Sequence, residues 1–462
     1  MLGRTLKILR AAEAHLVQMH QFGNVKKLST KVSEQLNQLA FFDDESQASG
    51  QVAQSFKGMD PDFPCATKNP SAGPEPEYDN VVSGFKLYHH QEPFYFKYND
   101  AVLPELEIAY ETWGELNESR DNAVVVHAGL SASSHAKSHK DNPKPGWWEK
   151  FVGPGCAIDT NKFFVICTNT LGGCYGTSGP SSVNPVTGKR YATTFPVVCV
   201  DDMVQVQWLL LNHLGITKLH ASVGSSLGGM CSLTAAVQQP ERVGRLISIS
   251  SCGQSHASSI ALRYLQRKTI MTDPDWNKGF YYEGKYPRTG MKMAREIATL
   301  GYRSGPEWGK RFGRKMLNPG KPSLCPTFLI ESYLDYQGES FCTKYDPNSL
   351  LYISKAMDLF DVGEDYGGNV QTALSRIECP VMVIGVKTDI LFPIWQQREL
   401  ACNLKEAGNN AVTFYELDSI YGHDTFLLDL NGVGSAVKGF LETELAEKGR
   451  ARPQKDLDNA VQ

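Results

Sequence analysis

One short stretch restricts this chain more than any other. "KLHASVGSS" (Lys218 to Ser226) is apolar and β-rich, and it runs through Leu227 directly into the helix-forming "GGMCSLTAAVQQPERV". A strand that must become a helix across Gly224-Ser225-Ser226-Leu227-Gly228 leaves its central residue little choice of geometry. G-x-S-x-G in this context forms a sharp turn, in which the serine backbone is strained and the glycines at minus two and plus two let neighbouring chain pass close by. Gly224 and Gly228 therefore single out Ser226, rather than Ser222 or Ser225, as the presented hydroxyl. The same turn aims the Leu227 N–H at an oxygen of any acyl group carried on Ser226.

A serine hydroxyl is a weak nucleophile at neutral pH and needs a base, which in turn needs an orienting group. The turn predicts the chain order Ser, acid, His, with each residue just after a strand. Asp389 follows "VMVIGVKT" and His423 follows "VTFYELDSIYG". Singly, the first would pass for a turn-capping carboxylate and the second for a surface-loop histidine. In this order and setting they form a triad with Ser226.

The remaining strands are expected at Asn122–Leu130, Phe163–Leu171, Arg245–Ser251, Pro380–Asp389 and Val412–Ser419. They are continuous apolar runs that alternate with helical stretches, as strands buried on both faces do. The fold class is therefore α/β: an α/β-hydrolase fold, with a mostly parallel sheet flanked by helices, built from residues 81–252 and 363–445. Between them, residues 253–362 are helix-rich without a convincing strand and predict a helical lid over the C-terminal edge of the sheet. The second oxyanion donor is expected from Gly129 or Leu130, in the loop after the Asn122 strand.

Composition narrows the function by exclusion. A formal net charge of -4 gives no global attraction to nucleic acid or anionic membrane. No apolar run reaches the roughly 18 to 20 residues of a spanning helix. The 11 cysteines lack CxxC or metal-type spacing and predict free thiols, with Cys174 a packed small residue rather than a reactive one. His135 and His139 stand four apart but lack an interposed Glu or a third ligand, which predicts a solvated loop and no metal. Residues 1–33 are basic, amphipathic and nearly free of acids, the composition of a mitochondrial transit peptide; without one the chain would be cytoplasmic. Residues 34–80 form a polar arm, and 446–462 a polar C-terminal tail.

Segments well beyond the elbow resemble the homoserine O-acetyltransferase family, including its serine-acylating branches. They are "GWWEKFVGPG" (Gly146 to Gly155), "LGGCYGTSGPSSVNPVTGK" (Leu171 to Lys189), "DDMVQVQWLLLNHLGI" (Asp201 to Ile216) and "GSSLGGM" (Gly224 to Met230). "DPDWNKGFYY" (Asp273 to Tyr282), "ESYLDYQGESF" (Glu331 to Phe341) and "SLLYISKAMDLFD" (Ser349 to Asp361) continue the match, which runs from about Tyr110 to Leu441. The resemblance implies acetyl transfer from acetyl-CoA to the side-chain hydroxyl of L-homoserine or L-serine, through an acyl-Ser226 intermediate and with no bound cofactor. It further implies that Arg295 pairs with the acceptor's α-carboxylate, that Asp424 contacts its polar end, and that the protein is a homodimer in methionine or cysteine biosynthesis. "HAGLSASSH" (His127 to His135) departs from the "HALTG" of many homoserine acetyltransferases toward the Ser-rich loop of serine-acylating relatives. Acceptor and donor length therefore stay open between serine and homoserine and between acetyl- and succinyl-CoA. An esterase or thioesterase with the same triad is the competing enzyme reading.

Overall fold

The computed structural model describes residues 75–443. The transit-like segment 1–33, nearly all of the arm 34–80 and the tail 446–462 lie outside the described residues.

Eight strands form the central sheet: β1 Lys86–His90, β2 Leu106–Trp113, β3 Ala123–His127, β4 Phe164–Thr168, β5 Ala221–Ser225, β6 Leu246–Ile249, β7 Val381–Val386 and β8 Val412–Leu417. Their order across the sheet is β1-β2-β4-β3-β5-β6-β7-β8. β1 pairs antiparallel with β2, and β2 antiparallel with β4; every other pairing is parallel. The parallel strands read as unbroken apolar runs because both faces are covered. Val125 packs into one core layer, while Val124 and Val126 point into the layer on the opposite face.

β1 and β2 escape the sequence reading. β2 is "LEIAYETW", and its buried Glu111 interrupts the apolar run that would mark a strand.

Helices α1 Val200–His213 and α2 Leu227–Gln238 flank the sheet. Between β6 and β7 come α3 Ala257–Thr272, α4 Arg288–Tyr302, α5 Gly305–Arg311, α6 Leu329–Cys342 and α7 Pro347–Leu359. α4 packs on both α3 and α6. The insertion packs an apolar cluster of Ile270, Tyr281, Tyr286, Met291, Tyr345 and Leu350 together with Tyr78, Val82, Cys174 and Tyr175 from outside it. α8 Ile394–Glu406 and α9 Ser435–Glu442 complete the described chain. Among the described residues, no helix is long and apolar enough to cross a membrane. Nine cysteines there are free thiols, six of them buried. Cys325 departs from the expectation and is disulfide-bonded.

Candidate active site

Ser226 sits between β5 and α2 with φ 57° and ψ -123°, a left-handed backbone rarely held by a residue with a side chain. Its amide donates to the Ile249 carbonyl at 2.9 Å, and its carbonyl accepts from Ser251 Oγ at 2.8 Å and from the amides of Gly229 and Met230. The bend is thus fixed from the neighbouring strand and from the helix it starts. The flanking glycines are steric necessities. A Cβ on Gly224 would lie 1.9 Å from the Gly228 carbonyl oxygen, and one on Gly228 would lie 2.4 Å from the His127 carbonyl oxygen. Both obstacles are backbone and cannot swing aside. Gly224→Ala is expected to cost about 3 kcal/mol of stability, seen as a lower urea midpoint; an unchanged midpoint would show that the elbow can open.

Asp389 and His423 follow β7 and β8, as the chain order predicts. His423 Nδ1 donates to Asp389 Oδ2 at 2.7 Å, and Asp389 Oδ1 accepts from the amides of Leu391 and Phe392 at 2.9 and 2.8 Å. The imidazole stacks on Phe392, and Phe426 meets it edge-on. Burial opposes a charge on His423, but the Asp389 carboxylate outweighs it and holds the pKa above the usual histidine value. Ser226 and His423 line one cavity of about 330 Å³. No hydrogen bond joins the two side chains in this structure, and such bonds commonly tighten only when substrate is present. A larger hollow of about 1020 Å³, lined by Glu75, Glu107 and Arg190 among others, contains no member of the triad.

Gly129 and Leu130 line the same cavity. The Gly129 carbonyl accepts from the Ala132 amide, so the Leu130 N–H across the same planar peptide faces the other way. Tyr345 Oη holds the Leu130 carbonyl at 2.8 Å, and Trp147 Nε1 holds the Ser133 carbonyl at 2.9 Å. Leu227 opens α2, where the first amides of a helix lack intrahelical acceptors.

Behind this loop, the expectation of solvated histidines fails. His135 is buried and His139 only partly exposed. His135 Nδ1 and His139 Nε2 both lie on Glu111 Oε2, at 2.8 and 2.6 Å. His135 Nε2 donates to the Lys144 carbonyl at 2.7 Å, and Ser134 Oγ donates to Glu111 Oε1 at 2.6 Å. The Glu111 carboxylate outweighs the burial of His135 and raises its pKa. Glu111 is the missing third group, brought from β2, which a spacing rule confined to the 135–139 stretch does not reach. A charged imidazole paired with the carboxylate satisfies every hydrogen bond around His135, which explains the buried acid in β2. Cys174, by contrast, is a buried free thiol whose pKa burial pushes well up.

The lid supplies the cations. Arg295 from α4 lines the cavity, its guanidinium 4.9 Å from the Tyr302 ring centroid and 4.5 Å from that of Phe341, with Nε buried and unpartnered. Asp424 also lines it, 3.4 Å from Arg303 Nη2; burial raises its pKa, and Arg303 is the main opposing influence. Sequence reasoning missed Arg303 and Arg263. Arg263 on α3 is 2% exposed; its Nε donates to Asp358 at 2.6 Å and Nη2 to Ser255 Oγ at 2.8 Å, while Nη1 is buried without a partner. Asp358 is shared with Arg267, so two guanidiniums meet a single carboxylate. No motif marks these arginines; only the convergence of α3 and α4 over Ser226 does. The lid end of α4 also runs against the histidine loop. Gly422 has φ +62°, and a Cβ there would lie 3.1 Å from the Arg303 backbone.

A strained serine, a carboxylate-bound histidine and lid arginines that keep unpartnered N–H groups fit the relatives this chain has. Residues 122–435 match the α/β-hydrolase fold family. Serine O-succinyltransferase of Emericella nidulans is 51% identical over 434 residues, covering 80% of this chain and 83% of that protein. The chain belongs to the homoserine and serine O-acyltransferase family. Homoserine O-acetyltransferase of Moorella thermoacetica is 41% identical, over 74% of this acyltransferase and 92% of that one. The crystal structure of homoserine O-acetyltransferase from Bacillus anthracis superposes with a TM-score of 0.73 at 29% identity, covering 79% of this chain and 98% of that one.

Proposed function

We propose that this acyltransferase moves a succinyl group from succinyl-CoA to the hydroxyl of L-serine through a covalent acyl-Ser226 intermediate. His423 takes the Ser226 proton as Oγ attacks the thioester carbonyl, and returns a proton to the departing thiolate of CoA. In the second half, His423 deprotonates the acceptor hydroxyl, whose oxygen attacks the acyl-serine ester, and returns that proton to the departing Ser226 oxygen. Asp389 keeps the imidazole in the tautomer with Nε2 free and stabilises its cation. The N–H groups of Leu227 and Leu130 receive the oxyanion in both halves. The lid keeps water from competing with the acceptor, which separates this reading from an esterase or thioesterase with the same triad.

The observation that carries the succinyl reading is Arg263. An acetyl group offers nothing to a buried guanidinium, whereas a succinyl group ends in a carboxylate. Two carboxylates, one on the donor and one on the acceptor, call for two cations, and Arg263 and Arg295 are present in the cavity of Ser226. Arg295 takes the α-carboxylate of the acceptor and Asp424 its ammonium end. This moves the donor from acetyl-CoA, the first expectation, to its alternative. The 51% identity to a serine O-succinyltransferase supports serine over homoserine, as do Ser131 and Ala132 on the cavity wall. The same proposal includes a place in sulfur amino-acid synthesis, a mitochondrial address, a homodimer and no resident cofactor.

The test crosses succinyl- and acetyl-CoA with L-serine and L-homoserine. Succinyl-CoA with L-serine is expected to give the highest kcat/KM. In Arg263→Met the succinyl-to-acetyl preference is expected to fall about 10²-fold, the scale of a lost buried charge pair. A wild-type preference for acetyl-CoA, or a ratio indifferent to this substitution, removes the dicarboxylic donor.

A further inference from the structure

Lys310, Arg311, Arg314, Lys315 and Lys321 fall within residues 305–321, where Glu307 is the only acid. All five are exposed, while Glu307 is buried, in a chain of net charge -4. The patch is local, and it continues from the cavity by two routes. Along the chain, Arg303 lines the cavity and donates to Glu307 at 2.8 Å, and Glu307 lies 3.9 Å from Arg311. Along α6, Phe341 and Gln337 line the cavity, and Tyr333 comes four residues further on the same face. From Phe341 to Tyr333 the helix rises about 12 Å.

Tyr333 anchors a group of half-buried rings. Its centroid is 5.0 Å from Phe312 and 6.1 Å from Trp308, and the Arg311 guanidinium lies over it at 4.4 Å. Arg314 lies over Phe328 at 5.6 Å. Partly exposed rings beside a cluster of cations suit a ligand with a flat base and several phosphates. The nearby Glu331 is turned inward, accepting from the amides of Thr327 and Phe328 at the start of α6.

We propose that this face binds the nucleotide end of the acyl donor, with the adenine against Tyr333 and its neighbouring rings and the phosphates on Arg311, Arg314 and Lys315. The inference rests on the reading of the chain as a CoA-dependent acyltransferase. It assigns the part of the donor that the cavity cannot hold, while the pantetheine arm follows the α6 face inward to Ser226. Its chemistry is that of an adenosine 3′,5′-bisphosphate, free or joined to phosphopantetheine.

The test uses the full chain and the variants R311A/R314A/K315A and R314E/K315E; the second spares the ring-stacked Arg311. Adenosine 3′,5′-bisphosphate is titrated into each by calorimetry, and kcat/KM is measured with succinyl-CoA and with succinyl-pantetheine, which lacks the nucleotide. The bisphosphate is expected to bind the native chain, to compete with CoA, and to bind the variants at least tenfold more weakly. The succinyl-CoA to succinyl-pantetheine ratio of kcat/KM should fall at least tenfold. Equal bisphosphate affinity in all three proteins, or an equal fall for both donors, overturns the assignment. A native chain that transfers from neither donor, yet binds the bisphosphate through these side chains, would retain the nucleotide site and reject the acyl-transfer reading.

Discussion

Ser226→Ala is expected to lower kcat/KM for succinyl transfer by on the order of 10⁴-fold or more. The acyl group would no longer have an oxygen to rest on, and His423 would be left polarising the acceptor directly against bound thioester. Alanine removes one oxygen and strains nothing new, so the fold should persist while the chemistry stops. Intact-protein mass spectrometry supplies the decisive readout. With succinyl-CoA and no acceptor, the native chain should gain one succinyl mass, located on the peptide containing Ser226, and the variant should gain none. Initial rates should give the parallel lines of a ping-pong mechanism. A variant that still accumulates the adduct would place the nucleophile elsewhere.

Asp389→Asn should be nearly as damaging, on the order of 10⁴-fold at neutral pH. The asparagine oxygen can keep the Leu391 and Phe392 amides that Asp389 Oδ1 accepts today. Its NH2 would then face His423 Nδ1 and donate to it, driving the ring proton to Nε2, where a base needs its lone pair. The pH profile separates this from general damage. The Asp389 carboxylate is what lifts the His423 pKa despite burial, and activity requires the neutral imidazole. In the native enzyme kcat/KM should therefore fall as the pH drops through a value above the usual histidine pKa. Without the carboxylate, the acidic limb should move to lower pH. A variant with less than a tenfold loss and an unmoved acidic limb would mean that another group orients the ring.

Much of this site could be read before any coordinates, because its constraints are local or ordered along the chain. The elbow announces itself through glycines two residues to either side, and the structure shows why: each closes on backbone, Gly224 on that of nearby Gly228 and Gly228 on the end of the adjacent strand β3. Asp389 and His423 were legible because each stands just past a parallel strand. The parallel strands themselves were legible because burial on both faces leaves an unbroken apolar run. β2 was not, since Glu111 breaks its run and is tolerated only because His135 and His139, on a loop 24 and 28 residues later, pair with it.

The arginines of the cavity were the least legible. Arg263 and Arg303 lie on the helical insertion, where arginine is ordinarily solvated, and Arg295 stands out there only through the family resemblance. Nothing in their spacing distinguishes Arg263, held against Asp358 with a bare N–H, from Lys268 on the same helix. The sequence by itself determined the order Ser226, Asp389, His423 and the sheet that presents them, because strand, bend and helix are dictated by neighbours only a few residues apart. Tertiary structure alone decided which cations enter the cavity and which remain without a carboxylate, because that depends on how helices far apart in sequence pack over one serine.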